Sequence, residues 1–70
     1  MQSSEQLVQR FQRQLMDLRH EMDQVQRRLR SYKLEKPVDE EKVLQAEFEM
    51  EMLRGGIENL QSLIGLQCRQ

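Results

Sequence analysis

The sequence predicts an all-α fold: an antiparallel hairpin of two long amphipathic helices packed in the manner of a coiled coil. Three observations carry the prediction. A heptad of apolar residues runs through the first half, a second one runs through the other half, and the chain's one proline stands between them. The chain has 70 residues, 33% of them charged and 37% apolar, with two Phe, one Tyr and no Trp. That is one domain at most, with little core. Ordering a chain of this size costs roughly 1.5 kcal/mol per residue, which small scaffolds offset with a staple or an oligomer. Cys68 has no second cysteine to pair with, and one Cys with one His cannot build a zinc site. Dimerisation into a four-helix bundle, or docking on a helical partner, is therefore the expected way the core is completed.

Helix 1 is expected over residues 4–34. Val8, Leu15, Met22 and Leu29 occupy heptad position a, and Phe11, Leu18, Val25 and Tyr32 occupy d, flanked mostly by Gln, Arg, Lys and Glu. Ser3 followed by Gln6 reads as a capping box. Lys36 is pushed out of helical geometry by Pro37, so the helix should fade by Leu34 and reach roughly 45 Å in length.

Residues 35–38 form the linker. Pro37 suits the approach to a new helix, and Asp39, Glu40 and Glu41 place negative charge at its positive dipole end. The first helix ends in Arg27, Arg28, Arg30 and Lys33, which in an antiparallel hairpin would meet that acidic start. The charge balance agrees: residues 1–36 hold eight Lys or Arg against five Asp or Glu, and residues 37–70 hold three against seven.

Helix 2 is expected over residues 39–64, with Val43, Ala46, Met50, Leu53, Ile57, Leu60 and Ile64 completing the seam. Gly65 reads as a left-handed C-cap that folds Leu66 back on Leu60, leaving 65–70 as a short tail. Leu44, Ala46, Phe48, Met50 and Met52 also alternate with polar residues as a strand would. Their helix-forming neighbours, and the lack of a second strand to pair with, favour helix. Gly55 and Gly56 should together cost roughly 2 kcal/mol relative to alanines. They either break the helix or sit inside it as a kink or close-packing point, and the unbroken register from Met50 to Ile64 favours continuity.

Leu44, Phe48 and Met52 follow one another at four-residue steps. If Met50 and Leu53 face helix 1, this stripe faces outward and offers a helix-docking surface, with Met22 and Met50 as adaptable packers. If helix 2 is rotated, the same stripe is core.

Sites for chemistry do not emerge. His20 lies at an outward heptad position and lacks the second histidine of a metalloprotease motif. Asp39, Glu40 and Glu41 lack calcium-loop spacing. Leu53-Arg54-Gly55-Gly56 matches the tail of ubiquitin-like modifiers but is internal, and phosphate loops and nucleophile elbows are absent. No catalytic, metal or cofactor residue is expected, and the chain reads as a non-enzymatic interaction or assembly module. Arg13, His20 and Arg27, beside Arg10 and Arg30, form an outer column that an RNA- or DNA-binding bundle would use. Asp17 and Asp23 on the same side, the scarcity of aromatic residues and a net charge of −1 weigh against nucleic acid. A third reading is a segment of a longer coiled-coil protein, which the Ser3 cap and Gly65 stop oppose. Residues 1–20 show no signal-peptide pattern and no run is long enough to span a membrane, so a cytoplasmic location is expected.

A hairpin of this length, with a Pro-containing linker and Leu53-Arg54-Gly55-Gly56-Ile57 midway down helix 2, resembles the small co-chaperones of type III secretion needle subunits. The matching stretch is Asp39 to Ile64, although helix 1 is long for that family. The resemblance implies a helical hairpin that clamps a larger helical-repeat chaperone and helps to keep the needle protein unpolymerised.

Overall fold

The computed structural model describes residues 4–68, which form two α-helices, α1 (Ser4–Leu34) and α2 (Glu40–Cys68). They lie side by side in a rod of 54 × 16 × 14 Å, with no strand among the described residues. The fold is thus an all-α helical hairpin. Ser3, half of the expected capping box, lies outside the described residues.

The antiparallel register can be followed through three pairs. Lys42, in the first turn of α2, sits 5.6 Å from the ring centroid of Tyr32, near the end of α1. One step away from the turn, Arg28 Nη2 donates to Glu49 Oε2 at 3.1 Å. Further along, Gly56 lies against Leu18. All fifteen seam residues are buried or half-buried. Leu15, Val25, Ala46 and Leu60 form the buried core, with Val25 only 2% exposed. Each helix of a two-helix pair leaves most of its circumference to solvent, which is why so few side chains close completely.

The turn is built from local chemistry. The Glu35 amide donates to the Tyr32 carbonyl at 3.3 Å, tightening the last turn of α1. Asp39 then caps α2: its Oδ1 accepts from the amides of Glu41 at 3.1 Å and Lys42 at 3.4 Å. Its carbonyl accepts the first helical bond, from Val43 at 3.2 Å. Asp39 is therefore the N-cap and α2 begins at Glu40. The basic end of α1 does not meet the acidic start of α2 in ion pairs. Among the described residues, Arg27 pairs with Asp23 in its own helix, and Arg28 reaches Glu49, a full two turns beyond Glu41. The register set by the apolar seam carries those cations past residues 39–41.

The far end of α2 corrects two expectations. The helix is continuous through Gly55-Gly56, and it continues through Gly65 to Cys68 with no glycine at positive φ. The left-handed cap at Gly65 does not form, and residues 65–68 are helix and not tail. Ile57, Leu60 and Ile64 remain on the seam, and their packing along α1 outweighs the helix cost of the glycines. Gly56 is also a close-approach point. A Cβ built there would stand 3.2 Å from Leu18 Cδ1, whereas one at Gly55 or Gly65 would meet nothing within 4 Å.

Candidate functional site: the outer face of α2

Successive helical residues turn by about 100°, so the direction of every α2 side chain follows once the seam is fixed. Met50, Leu53 and Ile57 point to α1, which turns Phe48 almost directly away from it. Leu44 and Met52 flank Phe48 one turn to either side. These three side chains are 65%, 67% and 64% exposed for Leu44, Phe48 and Met52. The rotated arrangement, in which the stripe is core, is overturned for this hairpin because Ala46, Met50 and Leu53 occupy the inner face.

The row does not stop at Met52. Stepping on by three and four residues passes Gly55 and Asn59 and arrives at Leu63 and Leu66, which are 41% and 59% exposed. Leu66 does not fold back on Leu60, because the helix it was expected to cap runs on past it. At its other end the row joins the hairpin tip. One shallow hollow is lined by Val38, Val43 and Leu44, and the next by Leu44 and Phe48. Val38, Leu63 and Leu66 were missed in the sequence, although the four-and-three spacing that found Leu44 and Phe48 would have found the last two had it been continued through Gly55. From Leu44 to Leu66 the row is roughly 33 Å long at 1.5 Å per residue.

Met22 and Met50 are placed differently from the stripe. Both are half-buried on the seam, and Met50 borders a groove with Leu29 on the side of the hairpin. Met52, by contrast, reaches from the outer face to a shallow groove of about 400 Å³ between the helices, shared with Val25, Leu53, Arg28 and Glu49.

The charges around the two outer faces differ. Glu40, Glu47, Glu51 and Glu58 run along one edge of the apolar row. Across the whole of α2 there are six Glu against one Lys and one Arg. Glu51 is held by Arg54 at 3.0 Å. On the outer side of α1, Arg13, His20 and Arg27 are exposed, but Arg27 is paired with Asp23 at 3.2 Å, and His20 lies 3.2 Å from Gln24. This column has only Met16 and Leu34 as large exposed apolar neighbours.

No three His, Cys, Asp or Glu side chains among the described residues are grouped to hold a metal ion. No described helix is long and apolar enough to cross a membrane. Compared with known proteins, the chain matches no family model, no curated protein and no solved structure.

Proposed function

We propose that this chain is a non-enzymatic protein-interaction module that presents the outer face of α2 to another helix. The observation that carries the reading is the contiguous row of Leu44, Phe48, Met52, Leu63 and Leu66, each at least 41% exposed, on the side of α2 away from α1. A long apolar row on a thin two-helix rod is the kind of exposed patch that marks an interaction site. It also supplies what the rod lacks, since a third or fourth helix laid on it would add a second buried seam. The recognition mode is helix against helix, with anchors at three- and four-residue steps.

A co-chaperone role in secretion is one form of this proposal, in which the docked helix belongs to a larger helical chaperone. It rests on chain length and on the small residues midway along α2. A cytoplasmic site of action belongs to the same reading. Nucleic-acid binding through α1 draws less support, because the Arg13–His20–Arg27 column is interrupted by the Arg27–Asp23 pair and flanked by Asp17.

The test is the molar mass of the purified chain by light scattering, over a concentration series in about 1 M salt, where the Debye length falls to ~3 Å and acidic edges no longer repel. The chain should associate through the apolar row, and Phe48→Glu should return it to monomer with its helicity intact. A chain that stays monomeric throughout, or that associates equally well with Phe48→Glu, contradicts the proposal.

A further inference from the structure

Resting on that reading, we infer that the cognate occupant of the α2 outer face is an amphipathic helix of another protein, with an apolar row bordered by Lys or Arg. The apolar row is bordered along one edge by Glu40, Glu47, Glu51 and Glu58, spaced 7, 4 and 7 residues apart. That is the position from which flanking charges choose partners in helix pairs. Among the described residues Glu47 and Glu58 take part in no ion pair, so their charge is open to an incoming helix.

A second copy of the chain fits this face poorly. Two α2 outer faces packed antiparallel would set the acidic edge of one against the acidic edge of the other, and like charges across a seam cost affinity. The basic side of this chain, along Arg13 and Arg27, lacks the apolar row needed to pair with Phe48. The available area is sufficient for a specific complex. The exposed apolar side chains offer on the order of 600 Å² on this side, and an equal contribution from the partner brings the total to about 1,200 Å², the lower edge of stable interfaces. At that size, charge complementarity along the edge is what separates a cognate helix from other apolar ones. The acidic edge equally repels anionic lipid, which attracts basic amphipathic helices.

Two labelled synthetic helical peptides of about 24 residues, with the same leucine row and either Lys or Glu on the flanks, serve as probes. Their binding to the full chain is read by fluorescence anisotropy at low and high salt. The Lys-flanked peptide should bind at least tenfold more tightly at low salt, and the preference should shrink as salt rises. Glu47→Lys/Glu58→Lys, which leaves the Glu51–Arg54 pair untouched, should reduce the preference severalfold, and Phe48→Glu should abolish binding of both peptides. Equal binding of the two peptides, or tighter binding of the Glu-flanked one, overturns the inference. If that equal binding is lost with Phe48→Glu, the docking face survives and only its charge specificity fails. If it persists with Phe48→Glu, the docking face fails as well. Failure of both peptides to bind, or binding of phosphatidylglycerol vesicles through Phe48, also overturns it.

Discussion

Alanine at each of the three glycines of α2 should give three different results, because the same helix-propensity gain meets three different surroundings. All three glycines lie in helix without positive φ, so each replacement gains up to about 1 kcal/mol of helix propensity. At Gly55 a new methyl meets nothing within 4 Å, and the full gain should appear. For a domain of this size that is a rise in Tm of about 4–8 °C. At Gly65 the methyl is equally unopposed, but the position lies in the last turn, so the gain should be a few tenths of a kcal/mol smaller through fraying. At Gly56 the methyl stands 3.2 Å from Leu18 Cδ1. Leu18 must give by a few tenths of an ångström, which offsets most of the gain and leaves Gly56→Ala close to neutral. Circular dichroism melts at low concentration, supported by urea titrations, would measure all three. A destabilising Gly55→Ala, or a Gly56→Ala more stabilising than Gly55→Ala, would refute a continuous α2 packed at this register.

Further outcomes follow from the same geometry. Val25→Ala, at a site 2% exposed, should cost about 2 kcal/mol in urea unfolding, whereas Phe48→Ala, 67% exposed, should leave the monomer within ~0.5 kcal/mol of wild type. The same Phe48→Ala should weaken the assembled state by about 3 kcal/mol, and equal effects of the two substitutions on the monomer would place Phe48 in the core. Asp39→Ala removes the acceptor for two amides of α2 and should cost about 1 kcal/mol, with Asp39→Asn largely retaining the cap; a melt of both variants decides it. A double-mutant cycle on Arg28 and Glu49 should return a coupling below about 1 kcal/mol that fades with salt, because both side chains are about half exposed.

The hairpin itself was legible because its signals are redundant. The a and d residues of α1 repeat without interruption from Val8 to Tyr32, and the lone proline can fall only between helices. The end of α2 was not legible, because Gly65 has two opposite meanings. At a helix end it is a left-handed cap, and inside a helix it is a tolerated cost of about 1 kcal/mol. Which meaning holds depends on Ile57, Leu60 and Ile64 packing along α1 beyond the glycines, a tertiary effect that local sequence does not record. The outward direction of Phe48 was half legible. Both sides of α2 are apolar, so its own pattern does not say which side faces in. The choice falls to the partner helix, where Leu18 fits against Gly56 and Val25 and Ala46 are both buried. Misreading Gly65 as a stop also hid Leu66, and with it the length of the outer row.

The central claim is that the chain docks through the outer face of α2, and residue-by-residue NMR tests it most directly. Amide shifts of the labelled chain would be followed as concentration rises in about 1 M salt, where acidic edges are screened. The account predicts that the largest changes trace Leu44, Phe48, Met52, Gly55, Leu63 and Leu66. Changes centred instead on Arg13, His20 and Arg27, or confined to the seam around Val25 and Ala46, would contradict it.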